Sequence, residues 1–448
     1  MENIKFKFNL LVNSKVYPFI LFLSVLVSHS LSIELLGATV VIAFSILGFL
    51  FCDDLKFLIA PLVFFIFIFS EKSVASGIFY TNPYLIAIGF VSILLISLII
   101  YFFIKHKDSF SIKRFINSKL FLGYALLSCS FLCNGLFNFN EYEIGNIIFA
   151  AALIASIGFI YFFFYSFLKT DESLKDYILY VLYLTSILIT LQLFIGFLGQ
   201  FTIDNGKIIK ESIKLGWGMW NNIGGMLAFL LPVHFYYATK SHKLGVLFYF
   251  SGILSYLAIV LTLSRSSLLT ATFIIVICAL ISCFKGTNKK ANRIITASIF
   301  ILGICGIIVL WDKISVILGD YLARGFDDNG RFEIYEHGIL NFLDNPLFGG
   351  GFSSCYVLEH QFIAFLPYRY HNTIIQMMAT CGIFGLVSYV IHRYQTIKLI
   401  LSKRSLFSLF SGLCILSMLL CSLLDNHFFN LYPSFIYSLL FVIIEKTE

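Results

Sequence analysis

Five groups of residues in this chain carry side chains suited to chemistry, and each lies at or between the ends of long apolar runs. The sharpest is Arg369-Tyr370-His371-Asn372, where a polar stretch re-enters apolar sequence. A histidine can take up a proton near neutral pH, and an arginine two residues away suits negative charge. A lone histidine is more often structural, but this one stands beside Arg369 and Asn372. The second is Arg265, in L-T-L-S-R-S-S-L-L-T-A, between two apolar runs. A guanidinium near lipid is costly unless it is paired or faces water, so function competes here with a snorkelling interfacial arginine.

Arg331 follows in D-N-G-R-F-E-I-Y-E-H-G-I-L-N-F-L. Asn329-Gly330 signals a turn. Phe332, Tyr335, Ile339 and Phe342 recur at helical spacing, which predicts an amphipathic helix lying on the outer surface. Arg331 would sit in its first turn, a poor place for a cation beside the helix dipole, so its partner is a ligand anion or else Glu333 or Asp328. N-P-L-F-G-G-G-F then offers Gly349 and Gly351, whose backbone could approach a ligand closely or simply connect. The fifth group is Lys214 with W-G-M-W-N-N through Asn222, whose tryptophans suit sugar stacking or, more commonly, a membrane-interface belt. Asp425 and His427, in the last turn on the same side, could support the site.

The elements that must position these groups are membrane helices. Of 448 residues, 59% are hydrophobic and only 12% charged, with mean hydropathy +0.92. Apolar runs fall near 16–32, 34–51, 56–70, 84–104, 119–134, 144–168, 177–200, 220–238, 245–263, 266–284, 294–311, 372–391, 405–424 and 429–444. Most are long enough to cross a bilayer core of roughly 30 Å. The expected fold is therefore all-α: a polytopic helical membrane protein of about 12–14 spans, with an uncleaved first span and one large extracytoplasmic loop carrying short amphipathic helices. It divides into N-terminal helices (1–200), central helices with Arg265 (201–311), the polar loop (312–371) and C-terminal helices (372–448).

The formal charge of +7 reflects orientation and not a nucleic-acid partner. With a cytoplasmic N-terminus, 22 of the 31 Lys and Arg residues fall in inside segments, which leaves the loop 312–371 outside and both termini inside. Nine of the 10 cysteines lie within or beside apolar runs and only Cys355 falls in the loop, so no disulfide or metal framework is expected. Away from the ends of the runs there are essentially no charged residues, which weighs against an ion-coupled transporter.

The ordered set L-T-L-S-R-S-S-L-L-T-A, G-R-F-E-I-Y, D-N-P-L-F-G-G-G-F and Y-H-N-T-I-I-Q-M-M-A-T-C-G-I-F-G, preceded by W-G-M-W-N-N-I-G-G-M-L-A-F-L-L-P, resembles the O-antigen ligase and polymerase superfamily of bacterial surface-polysaccharide enzymes. The likeness covers roughly 214–384; the aromatic usually found four residues past the loop arginine is here Tyr335, not tryptophan. The resemblance implies a glycosyltransferase of the cytoplasmic membrane, acting on its outer face without metal or nucleotide cofactor. The donor it implies is a glycan on undecaprenyl pyrophosphate and the acceptor a glycan or glycolipid hydroxyl, with a flippase and a chain-length regulator as partners. It makes Arg265 and Arg331 pyrophosphate ligands, His371 the base or orienting group, and Arg369 a helper. Polymerisation of repeat units is the reading favoured over ligation of a finished chain to lipid A core, and over transport without chemistry.

Overall fold

The computed structural model describes residues 2–77, 81–138, 144–204, 207–309, 311, 315, 330–352 and 370–447. The described chain is nearly all helix. In order, the first helices are α1 (Glu2–Val12), α2 (Val16–Leu31), α3 (Glu34–Phe51), α4 (Lys56–Phe64), α5 (Glu71–Ala75) and α6 (Asn82–Lys105). Next come α7 (Ile112–Ile116), α8 (Phe121–Leu132), α9 (Ile144–Phe167) and α10 (Glu172–Gly199). Two small antiparallel hairpins follow, β1 (Ile203–Asp204) with β2 (Lys207–Ile208), and β3 (Lys214–Leu215) with β4 (Gly218–Met219). Then come α11 (Trp220–Lys240), α12 (Gly245–Leu261), α13 (Arg265–Phe284) and α14 (Lys289–Val309). The last are α15 (Arg331–Asp344), α16 (Thr373–Leu401), α17 (Leu406–Leu424) and α18 (Leu431–Thr447).

A helix stands on each of the predicted apolar runs. Among the described residues, seven helices are by themselves long and apolar enough to cross a membrane, or eight if the α1–α2 pair, bent by 76°, counts as one span. The remaining runs fall short individually. The Lys56–Ile68, Phe121–Leu132 and Gly245–Leu261 stretches are apolar but short, and α14 opens with Lys289, Lys290 and Arg293. Together these helices make a multi-pass, all-α membrane protein.

α11 is the hub. Every residue from Ile223 to Thr239 is buried, because α10, α12, α13 and α17 pack around it. A helix apolar on all sides belongs inside such a bundle. Its first turns admit close neighbours because Gly224 and Gly225 carry no side chain. A Cβ on Gly224 would lie 2.8 Å from Ser267, and one on Gly225 2.0 Å from the His427 ring. The start of α13 and the turn after α17 are thereby drawn to the same end of the bundle, called here the site end.

α16 is kinked at Gly382, whose φ of 64° and ψ of −159° suit only glycine. The kink frees backbone groups that the segment before it takes up. Ile383 N–H donates to Pro346 O (2.8 Å) and Phe384 N–H to Leu347 O (3.2 Å). In return, Gly350 N–H donates to Ala379 O (2.9 Å) and Gly351 N–H to Thr380 O (3.2 Å).

α15 packs on α16 through Ile334 and Gly338, which sit with Tyr370, Ile375 and Ala379. Phe332 and Ile339 stay exposed, as expected of an amphipathic helix that lies on a surface. One expectation changes, because the interior holds a charge. α16 runs past the point where a charge was expected to end it, and Arg393 is 8% exposed. Its guanidinium lies 4.5, 4.3 and 4.9 Å from the ring centres of Tyr389, Phe428 and Tyr437, and it donates to the Tyr437 hydroxyl. Aromatic faces can hold a cation without a carboxylate.

Candidate functional site

The site end is assembled on the last turn of α17. The final carbonyls of a helix have no partner within it, and two later segments use them. Arg331, first residue of α15, donates from Nη1 to Leu424 O at 2.7 Å. Asn372 Nδ2 donates to Leu423 O at 3.0 Å. The negative end of the α17 dipole favours this placement of a cation, which offsets the poor position of Arg331 on its own helix. A guanidinium has five donors, and this bond takes one.

Asn372 is also the N-cap of α16. Its Oδ1 accepts from Ile374 N–H (2.9 Å) and Ile375 N–H (3.2 Å), the standard service of an asparagine at that position. The cap fixes the residue before it. His371 has a φ of 51°, and its Nδ1 lies 3.0 Å from Asp425 Oδ1. On one side Tyr370 N–H donates to Gln376 Oε1 (2.9 Å), and Asn426 Nδ2 donates to the same oxygen (2.8 Å). On the other, the Tyr335 hydroxyl donates to His371 O at 3.4 Å. The ring is 31% exposed and the carboxylate 12%, so the pair has one wet member and one shielded member.

Asp425 is the residue that sets the histidine. Burial alone would raise its carboxyl, but the His371 hydrogen bond and the His427 and His371 charges hold it well below the usual carboxylate range. An ionised acceptor on Nδ1 selects the tautomer that leaves Nε2 as the proton acceptor.

Arg265 opens α13 after a tight turn in which Leu263 takes a φ of 55°. Ser264 Oγ and Ser267 Oγ stand 2.9 Å apart and brace that turn. The exposed Arg265 side chain emerges at the site end. A third cation, not singled out by the sequence, joins the two arginines. Lys210, between the hairpins, lies 5.4 Å from the centre of the Trp220 ring. Its ammonium is pushed down from its ordinary value, first by partial burial, then by the charges of Arg265 and Arg331, with Glu211 opposing. Lys210, Arg265 and Arg331 therefore share one field, and an anion placed among them would be stabilised.

The hairpin segment is held there by Trp217. Its Nε1 donates to buried Gln192 Oε1 at 3.0 Å, and its ring meets Phe67 edge-on at 4.8 Å. This tryptophan is an anchor and not part of a belt, while Trp220 carries the lysine. Lys214 lies half-buried on β3 and Asn222 in the first turn of α11, in the same segment as Lys210. Gly349 and Gly351 are buried. Gly349 N–H donates to Asn345 O at 2.9 Å, and a Cβ on Gly349 would lie 2.3 Å from the Thr380 backbone, so the glycines serve the α16 kink. Arg369, and the loop residues 312–314, 316–329 and 353–369 around it, lie outside the described residues.

Residues 250–390 match the family model described as O-antigen ligase. The match takes in Arg265, Arg331 and His371 and supports the O-antigen ligase and polymerase superfamily that the ordered motifs resemble. Over these residues, less than half of its length, the chain is similar to O-antigen ligases. No curated protein matches the chain.

Proposed function

We propose that this chain transfers a glycan from undecaprenyl pyrophosphate to a sugar hydroxyl on the outer face of the bacterial cytoplasmic membrane, polymerising repeat units of a surface polysaccharide. The observation that carries the reading is the His371–Asp425 pair, 3.0 Å apart, anchored to the same helix end as Arg331, which shares a field with Arg265 and Lys210. In the transfer, the acceptor oxygen bonds to the anomeric carbon while the bond from that carbon to the pyrophosphate oxygen breaks. The acceptor proton passes to His371 Nε2, and Asp425 stabilises the imidazolium that forms. The electron pair of the broken bond leaves with the pyrophosphate, whose growing charge the three cations hold. Attack from the face opposite the leaving group gives inversion at the anomeric carbon, so a product of unchanged configuration would rule this route out. Asn372 lies on the acceptor side in this reading, with Lys214 and Asn222 nearer the donor, and Arg369 keeps the helper role that the resemblance implies. A flippase supplies the donor and a chain-length regulator limits the product.

The test is polymer length on a gel from cells carrying wild type or the Ala variants of Arg265, Arg331 and His371, with expression matched. Loss of the ladder with single lipid-linked units left behind supports polymerisation. The printed description of the matched family, O-antigen ligase, favours a second reading in which a finished chain moves to lipid A core or another terminal acceptor. Full-length polymer retained on its lipid carrier in the variants would select that reading, and an unchanged pattern in all three would rule out this site.

A further inference from the structure

At the opposite end of the bundle, a cavity of about 360 Å³ opens among the ends of α6, α9 and α18, the short helix α7 and the turn after α3. Its size falls within the range of ligand pockets, roughly 300–1,000 Å³. Its charged lining is mostly basic: Arg114, Lys169 and Lys446, with His106 and one carboxylate, Asp53. Asp53 is already answered, since Lys5 and Lys105 each reach it at 3.0 Å. The cations facing the cavity thus keep a net positive charge.

Two further polar groups point to a missing partner. His106 Nε2 and Ser166 Oγ, both on the cavity wall, are buried and make no hydrogen bond. The 3.9 Å from His106 Nε2 to Asp53 Oδ1 is too long for one, and buried polar groups normally have partners. Lys446 gives two of its three protons to backbone, donating to Tyr165 O at 2.8 Å and to Leu168 O, which leaves one for a ligand. Burial, and then the neighbouring Arg114, push its ammonium down, with Asp54 and Glu445 opposing only in part, a net effect that a bound anion would reverse. A ligand that satisfies this set must accept hydrogen bonds on several sides and carry negative charge. A phosphate does both.

We propose that this cavity binds the phosphate of an anionic membrane phospholipid. The source is argued from the wall formed by α6. Within that helix, the apolar stretch Ile86–Lys105 is only 11% buried, so it faces lipid along its length and ends at the cavity mouth with Phe102 and His106. Basic pockets between membrane helices recognise acidic headgroups in this way.

The experiment uses the full-length protein in detergent, as wild type and as an Arg114→Gln/Lys169→Gln double variant. Both side chains are exposed at the cavity rim, so the variant keeps its fold, as monodispersity and unchanged glycan transfer would confirm. Binding is read by native mass spectrometry and by Tm in the presence of phosphatidylglycerol, phosphatidylcholine or inorganic phosphate at matched ionic strength. The expected result is that phosphatidylglycerol is retained and raises Tm, that phosphatidylcholine does neither, and that the double variant weakens retention about tenfold. A Tm rise with inorganic phosphate that is lost in the variant, with no preference between the two lipids, would reassign the site to free phosphate and overturn the lipid source. Equal retention of both lipids with no phosphate effect, or phosphatidylglycerol retention unchanged in the variant, would overturn the proposal entirely.

Discussion

The two ends of the bundle handle positive charge differently. Opposite the site, apart from the Arg114, Lys169 and Lys446 cavity, lysines meet protein carboxylates: Lys5 and Lys105 on Asp53, Lys56 near Asp171 at 3.6 Å, and Lys240 with Asp176 at 2.5 Å. At the site end, Lys210 feels two arginines with Glu211 opposing, and the carboxylate of Asp425 is engaged by His371. Charges balanced by protein groups orient and steady a membrane protein. Like charges gathered in one place cost stability unless an anion arrives, which is how binding sites differ from surface ion pairs. The contrast teaches that the positive charge of this chain has two uses, and that neighbours distinguish them where counting cannot.

The largest test of that contrast removes the proposed proton acceptor. His371→Ala should lower transfer by about 10²–10⁴-fold, measured as polymer formed by purified protein from a lipid-linked donor. Activity within a few-fold of wild type would mean the site end is only a charged surface. Next come Arg265→Ala and Arg331→Ala, each expected to lower the rate by roughly 10²-fold or more as a donor to the leaving group is lost. Lys210→Met should act in the same direction with a smaller effect, and a Lys210 variant as active as wild type would reduce the triad to two arginines.

Asp425→Asn sharpens the comparison further. Loss of this partner of His371 should lower transfer by about 10–100-fold while the protein still folds. Its stability effect has a defined pH window. The folded-state carboxyl titrates below its unfolded value, so its contribution is complete above about pH 4, near the unfolded aspartate pKa, and is lost as pH falls through the lower folded value. The Tm gap between wild type and Asp425→Asn should therefore shrink as pH falls below about 4. The smallest effect is expected at the opposite end. Asp176→Asn breaks a half-exposed pair with Lys240 and should cost less than about 1 kcal/mol without changing transfer.

A separate prediction concerns the scaffold under the site. Gly382→Ala puts a side chain into a glycine-only conformation and 2.5 Å from the Leu347 backbone. The strain alone is about 1–3 kcal/mol, and Tm in detergent should fall accordingly. An unchanged Tm would show that the kink is not needed.

The helices were legible in the chain, and so were the residues from which the site is proposed. Arg265 stood out as a charge between apolar runs, and Arg331 and His371 as members of the polar stretch. Lys210 did not, because its role depends on Trp217 inserting beside Gln192 and Phe67, a contact across more than a hundred residues. The glycines of 349–351 looked like a ligand cradle because backbone availability cannot be seen without the carbonyls of Ala379 and Thr380. The apolar spacing of α15 was legible, but not that Gly338 on another face would let the helix pack on α16.

What the sequence by itself determined was the class of molecule. Apolar runs force helices where backbone groups cannot reach water, and scarce cations mark the ends of those helices. Only the tertiary structure decided which of those ends act together. His371 gains an ionised partner because the α17 terminus brings Asp425 to it, 54 residues away in the chain. Charge and hydrogen-bonding energies depend on distance in space, and the packing around α11 sets those distances.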